Sequence, residues 1–370
     1  MIQKILIGTN GLPPHVGGLE NLTDDLALYL HKMGHDVTVV VSSDYGFPQQ
    51  NRNYKTVTLD SLLLRRLPVP KASRRNFTYL SELRESKYDQ IILQSHLFIS
   101  NWILGLIFRK KSKLTWINYG GSPVKHSSKL VSKLIEIYEY LGFKILEYCC
   151  DRRLAQSVKS AQRLPQVSAK TYIINNCVPE TLLDLPLRRG RIELVSKIIF
   201  VGRFVEDKRL LELLEQVNRA IKKLDEIDSS IQNRIFLSII GNGPLKKAVL
   251  EFLKSQLKID CVVKELPDRN SVISEMLSHD LLIQFPLSEG QPGVTLEALT
   301  VGLPILTTPI DECLQSLDGV FVCDSSSYAS KLVSIMTSRK PFEVNVEINR
   351  QHLRAHHSVS ETTRRILEIE

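Results

Sequence analysis

DLLIQFPLSEGQPGVTLEALTVGLPILTTPI, residues Asp280 to Ile310, joins two buried-strand runs through a loop and a short helix. Leu281, Leu282, Ile283 and Phe285 make the first run, and Leu303, Ile305 and Leu306 the second. Between them SEGQPG reads as loop and VTLEALTVG as helix. Strand, Gly/Pro loop and helix in that order form the corner at which open parallel sheets bind ligands. The helix opens just after Pro292-Gly293, so its free N–H groups and positive dipole end point back into the loop. That end, at Gly293 and Val294, suits a phosphate.

Glu289 stands before the glycine of the loop and Glu297 on the helix, with seven residues between them. A loop and about one helical turn let both carboxylates face one ligand from different sides. In isolation such a pair is usually two solvated side chains; here its setting makes it a candidate site. A nucleotide sugar fits it, with Glu297 accepting hydrogen bonds from ribose hydroxyls and Glu289 nearer the sugar. Ser288-Glu289-Gly290-Gln291-Pro292, followed by Leu296-Glu297-Ala298 and Gly302-Leu303-Pro304, resembles the donor-site signature of family-4 retaining glycosyltransferases. The resemblance implies the GT-B fold: an α/β chain of two doubly wound, Rossmann-like domains facing across a cleft.

Lys4–Thr9 reads as a buried strand, Asn10–Gly18 as a loop, Leu19–Met33 as a helix stopped by Gly34, and Val37–Val41 as the next strand. This unit lacks G-x-G-x-x-G. GGLEN…LALYLHKMGHDVTVV is nonetheless similar to the opening of family-4 enzymes, which implies that the Gly17 and Gly18 backbone approaches the donor phosphate and the acceptor. The strand Asp89–Gln94 delivers His96 to its C-terminal end, where α/β sites lie. A lone histidine there is more often structural; the resemblance turns His96 toward the donor sugar. After the next strand, Asn118 stands where many relatives have histidine. YIINNCVP, Tyr172–Pro179, resembles the turn that closes the first domain, with Asn176 at the usual glycine position. Asparagine tolerates positive φ better than most residues.

Leu185–Ser196 has no apolar periodicity and reads as a linker, which sets an acceptor domain over 1–185 and a nucleotide-sugar domain over 186–347. By the resemblance, the terminal helices over 348–370 pack back on the first domain. Arg203, ending the strand Ile198–Arg203, and Lys208 at the next helix start can both reach one diphosphate. Arginine offers a fork and lysine a point charge. Arg209 follows where relatives have glycine. LSIIGNGP resembles the family's G-x-G-P, which implies that Gly241 and Gly243 let the backbone approach the nucleotide; the alternative is a plain turn. Gly290 and Pro292 shape the loop before Gly293. His352, His356 and His357 look metal-like but read as the solvated face of a basic helix.

A chain of 370 residues is comfortable for two α/β domains. No apolar run reaches ~18 residues, and no charged n-region with a cleavage site opens the chain. The expectation is a cytoplasmic protein without a membrane span. Six cysteines show no C-x-x-C or Cys/His ligand spacing, so they read as reduced thiols without zinc. A formal charge of +8 favours polyanionic partners. In LLLRRLPVPKASRRNFTY, Leu62–Tyr79, the cations Arg65, Arg66, Lys71, Arg74 and Arg75 interleave with apolar residues, and Pro68 and Pro70 prevent one continuous helix. The tract reads either as a membrane-surface or acceptor patch or as a solvated loop and helix start. Nucleic acid is not expected, since no binding module or aromatic platform is recognisable.

The resemblance implies a retaining transferase moving sugar from a nucleoside-diphosphate sugar to a saccharide acceptor. Glu289, His96, Arg203 and Lys208 carry the chemistry. With no D-x-D pattern, positive side chains replace a divalent ion, so no metal or other cofactor is expected. The basic first domain suggests a lipid-linked acceptor at the inner face of a bacterial membrane, in O-antigen, capsule or exopolysaccharide synthesis. The alternatives are a nucleotide-sugar epimerase and a non-catalytic GT-B partner subunit.

Overall fold

The computed structural model describes every residue except 1, 16, 44, 47–50, 65–66, 120–128, 163, 165–170, 186–193, 228–233, 288, 339–343 and 369–370. The chain forms two units, Met1–Cys177 with Val359–Glu370, and Val178–Ser358.

In the first unit a parallel sheet has the strand order β3 (Lys55–Thr58), β2 (Asp36–Val41), β1 (Lys4–Thr9), β6 (Gln90–Gln94), β7 (Lys113–Asn118), β8 (Arg152–Ala155) and β9 (Thr171–Ile173). Its central strands β1, β2 and β6 carry near-continuous apolar runs, as strands covered by helices on both faces do. Ile5 and Ile7 of β1 bury on one side with Leu26 and Leu30, and Leu6 on the other with Leu104 and Phe108. Order reverses between β1 and β6, so the loop carrying Gly17 and Gly18 leaves the sheet beside Ser95-His96.

The basic tract is a hairpin, β4 (Ser61–Leu64) antiparallel to β5 (Leu67–Pro70), followed by the helix Arg74–Glu85. Pro68 and Pro70 are tolerated because this is a two-stranded ribbon and not the interior of a larger sheet. Ser73 starts the helix by accepting the Asn76 N–H at 3.2 Å.

The second unit holds a parallel sheet in the order β12 (Asp260–Lys264), β11 (Phe236–Ile240), β10 (Lys197–Val201), β13 (Leu281–Ile283), β14 (Ile305–Thr307) and β15 (Val320–Val322). Alternate β10 residues feed separate cores: Ile198 and Phe200 pack with the helix Leu210–Ile227, and Ile199 with the helix Gly293–Val301. Gly302 ends that last helix with φ 75°, and a Cβ there would sit 2.3 Å from a Val346 methyl. Only glycine meets both demands.

The units divide at Cys177–Val178, ahead of the 185/186 boundary drawn from sequence. The Val178 N–H donates to the His357 carbonyl at 2.8 Å, and Leu182 and Leu183 bury beside Leu353. Residues 186–193 of the linker lie outside the described residues. Of the two terminal helices, Val346–His356 belongs to the second unit, where Arg350 Nη2 donates to the Leu185 carbonyl at 2.7 Å. Val359–Glu368 belongs to the first, burying Val359 against Leu22 and Ile366 in the β1 core. Asn176 does not adopt positive φ; its Oδ1 instead accepts the Cys177 N–H at 2.9 Å.

Candidate functional site

Strand order in the second sheet reverses between β10 and β13, and the candidate residues leave it at the C-terminal ends of those two strands. After β10 the chain passes Arg203 into a single 3-10 turn, Glu206–Lys208. The Leu287 N–H, beyond β13, donates to the Asp207 carbonyl at 3.0 Å. That bond ties the two loops together and sets Lys208 Nζ against Glu289 Oε1 as an ion pair. Both side chains are mostly withdrawn from water, at 21% and 17% exposure, which strengthens the pairing. Arg203 is exposed, and its side chain bonds to no other described residue.

Arg209 takes the left-handed conformation that favours glycine, φ 49°. Its guanidinium stacks 4.4 Å from the Phe285 ring centroid and donates to Ser325 Oγ at 3.3 Å. Arg209→Ala would lose this stacking and keep the strained backbone, whereas Arg209→Gly would lose the stacking and relieve the strain. The alanine variant is therefore expected to be less stable than the glycine variant by about 1 kcal/mol. Thermal unfolding of the two checks this, and equal melting temperatures would contradict it.

At the start of the helix Gly293–Val301 the Thr295 and Leu296 N–H groups turn back to the Pro292 carbonyl, at 3.1 and 3.3 Å. Those of Gly293 and Val294 donate to no other described residue. Among the described residues no side chain caps this end and no acid lies in its first turn, which leaves its positive pole uncompensated by them. A Cβ on Gly293 would meet nothing within 4 Å, which leaves room for a ligand to reach the backbone. Glu297, on the next turn, pairs with Arg269 Nε at 3.1 Å. Sequence reasoning missed Arg269, which opens the helix Arg269–Leu277 just after the Asp268 cap. No local signal could have found it: only the structure shows that Glu297 is 13% exposed and so needs a cation, and that the cation comes from another helix.

Gly241 and Gly243 are demanded by the protein itself. Gly241 has φ 142°, and a Cβ there would fall 2.0 Å from the Gly202 carbonyl oxygen. A Cβ on Gly243 would fall 2.5 Å from the Phe204 carbonyl oxygen. The two loops interlock through Phe204 N–H to Asn242 O at 2.9 Å and Leu245 N–H to Phe204 O at 3.1 Å. The close approach assigned from sequence to the nucleotide is here an approach to the segment that carries Arg203. Gly290 is held by its carbonyl, which accepts the Asp311 N–H at 3.0 Å.

In the first unit Gly17 precedes the helix Gly18–Lys32, and the space a Cβ would take at Gly17 is filled by the Glu20 carboxylate. Glu20 is buried and pairs with His15 Nδ1 at 3.2 Å. Gly18 has open space where its Cβ would be. His96 is 7% exposed, stacks on Phe143 at 3.7 Å and meets Trp116 edge-on at 6.0 Å. Burial lowers its pKa to about 4, against an opposing hydrogen-bond contribution from Asn118. Its imidazole is therefore neutral at pH 7 and can orient a partner without adding charge. The preceding Ser95 is held at φ 71°, with Asn101 Nδ2 donating to the Gln94 and Ser95 carbonyls at 2.6 and 3.0 Å.

Of the basic tract, Lys71, Arg74 and Arg75 are exposed, and Arg75 is engaged by Asp60 at 3.3 Å. Arg65 and Arg66 lie outside the described residues. The hairpin also exposes Leu62, Leu63 and Leu64. A second surface went unnoticed in the sequence. The helix Lys129–Cys149 exposes Leu130, Leu134, Ile137, Leu141 and Tyr148 along one stripe, with exposed Lys129, Lys133 and Lys144 flanking it.

A model for "Glycosyltransferase Family 4" matches residues 16–182, and one for "Glycosyl transferases group 1" matches residues 195–338. Lipopolysaccharide glucosyltransferase WaaG of Escherichia coli K12 is 33% identical over 94 residues, 25% of each chain. The O-antigen biosynthesis glycosyltransferase WbnH of Escherichia coli is 26% identical over 207 residues, 56% of this chain and 54% of that one. The chain thus spans between a quarter and about half the length of these curated relatives. The crystal structure of WaaG matches with a TM-score of 0.66 at 16% identity, over 99% of this chain and all of that one. A variant of S. aureus TarM, in complex with Fondaparinux, α-GlcNAc-glycerol and UDP, matches with a TM-score of 0.71 at 11% identity, over 99% of each chain. At such identities the likeness speaks for the fold alone, and it agrees with the two parallel sheets described above. Sheet order, family models and structural likeness converge: the chain is a group 1 glycosyltransferase of the GT-B type.

Proposed function

We propose that the protein transfers a glycosyl group from a nucleoside-diphosphate sugar to a saccharide acceptor, with retention of anomeric configuration and without a metal ion. The carrying observation is the Lys208–Glu289 pair at the switch point of the second sheet, accompanied by an exposed Arg203 with no side-chain partner among the described residues. Rupture of the bond from anomeric carbon to diphosphate oxygen leaves negative charge on the leaving group and positive charge on the sugar ring. Arg203, Lys208 and the N–H groups of Gly293 and Val294 oppose the first. Glu289 opposes the second, while Glu297 accepts from ribose hydroxyls. The acceptor oxygen attacks from the face the diphosphate leaves, and the departing phosphate takes its proton. Relatives named for lipopolysaccharide and O-antigen synthesis, and the UDP in the TarM complex, support a nucleotide donor and a bacterial surface polysaccharide product.

The test is a panel of nucleotide sugars assayed for nucleoside diphosphate release, with and without membrane lipid extract, for wild type and Glu289→Ala. Release from one donor that needs the extract, fails in the variant and gives a retained product by proton NMR is the expected result. An inverted product would remove the front-face step. Donor isomerised without diphosphate release would indicate an epimerase, and no reaction from folded protein a partner subunit.

The acceptor in this reading is lipid-linked, and the first unit docks on the anionic inner face of the cytoplasmic membrane. Among the described residues no helix is long and apolar enough to cross a bilayer. The stripe on Lys129–Cys149 supports surface attachment: apolar residues can enter the headgroup boundary while flanking lysines, each worth about 1 kcal/mol, face anionic lipid. Flotation is expected to recover the protein with anionic vesicles, less with neutral ones, and less again for Leu134→Glu/Ile137→Glu. Equal recovery with anionic and neutral vesicles would remove the electrostatic argument.

A further inference from the structure

The second unit gathers a cluster that plays no part in the chemistry above. Cys313 lies at the start of the short helix Glu312–Gln315, and His352 on the helix Val346–His356, with His357 just beyond it. Cys313 Sγ is 3.4 Å from His352 Nε2. One ligand atom from each of Cys313, His352 and His357 lies within 4.8 Å of the other two. His357 is fully buried, and Cys313 and His352 are half-buried; the solvated face read from sequence therefore fails for His352 and His357, while His356 is exposed. The His356 ring is 4.7 Å from that of His352.

Tetrahedral zinc, with sulfur at about 2.3 Å and nitrogen at about 2.0–2.1 Å, has ligand-to-ligand edges of about 3.4–3.6 Å. The Cys313–His352 separation already matches one edge, and small side-chain rotations close the others. A thiolate with two imidazoles suits zinc and its neighbours and disfavours magnesium or calcium. We propose that Cys313, His352 and His357 bind a divalent transition ion of the zinc class, with the fourth position open to His356 or water. Binding releases the Cys313 thiol proton to solvent.

The ion would act as a brace. Asp311 accepts the Cys313 N–H at 3.1 Å and donates its own N–H to Gly290 in the loop beside Glu289. From the other side, Arg350 Nε donates to the Thr300 carbonyl at 2.8 Å, near the end of the helix Gly293–Val301. One ion would thus join two segments that hold that loop and that helix. The alternative for the same residues is a plain hydrogen bond from the Cys313 thiol to His352.

Cobalt(II) separates the two, independently of any transferase activity. Full-length protein stripped with chelator and titrated with cobalt is expected to show a thiolate-to-cobalt charge-transfer band with intense tetrahedral d–d bands, displaced by zinc. Cys313→Ser should abolish the charge-transfer band. His352→Ala should weaken affinity at least about 100-fold, more than loss of an outer hydrogen-bond partner costs. Cys323→Ser, at another half-buried thiol, should change neither. Absence of the charge-transfer band in the wild type, or its survival in Cys313→Ser, would overturn the proposal.

Discussion

Lys208→Ala is expected to lower kcat about 100- to 1,000-fold, on the order of 3–4 kcal/mol of transition-state stabilisation. Lys208 faces Glu289 in a mostly water-excluded pair, and the charge on a departing diphosphate grows as the sugar bond breaks. Removing the ammonium deprives the leaving group of its counter-charge and leaves the Glu289 carboxylate without its partner. The effect should therefore fall on kcat more than on donor KM, because it concerns charge that exists only in the transition state. Glu289→Ala is expected to cost a similar factor by a different route, the loss of support for the developing positive ring. The two residues act as a unit, so the double variant should be little worse than either single one. Steady-state kinetics on the three variants, with folding confirmed by circular dichroism, checks this. A loss under tenfold confined to KM would reduce Lys208 to a ground-state phosphate contact.

His96 is expected to make the protein acid-sensitive between pH 6.5 and 4. Burial lowers its folded-state pKa from 6.5 to about 4, so within this window the unfolded chain binds a proton that the folded chain refuses. Stability then falls as pH falls, and the loss, complete below the folded value, amounts to about 3 kcal/mol. Lowered pKa at His279, again from burial, and at Glu361, beside Arg364, adds slope of the same sign. The diagnostic is thus the difference between wild type and His96→Gln. Denaturant unfolding at pH 7 and pH 4.5 should show a smaller drop in the variant. Equal drops would mean that the imidazole is hydrated in solution. The same burial explains why His96 fits a neutral positioning role at pH 7 and not proton transfer.

Much of the donor half was legible because its parts are contiguous. Strand, loop and helix over 280–310 are dictated by apolar runs, Pro292-Gly293 and the Gly302 stop, all of them local effects of turn chemistry and helix geometry. From those alone the sequence pointed to a parallel α/β sheet and to a strand–loop–helix corner carrying two acids; that the strand order reverses there only the sheet topology decided. It could not determine what pairs with what. Lys208 and Glu289 are 81 positions apart, and Arg269 reaches Glu297 from another helix. Such contacts depend on loops that fold side by side only after the sheet has ordered its strands. Gly241 and Gly243 carry a Gly-rich pattern that looks the same whether a nucleotide or a neighbouring loop comes close. Pro68 and Pro70 argued against a helix without revealing the ribbon that tolerates them. Cys313 and His357, too far apart in sequence to suggest a shared ligand, meet because Leu314 of the helix Glu312–Gln315 and Leu353 of the helix Val346–His356 pack in one core. Local pattern decided the elements; burial and long-range packing decided which charges, thiols and rings those elements bring face to face.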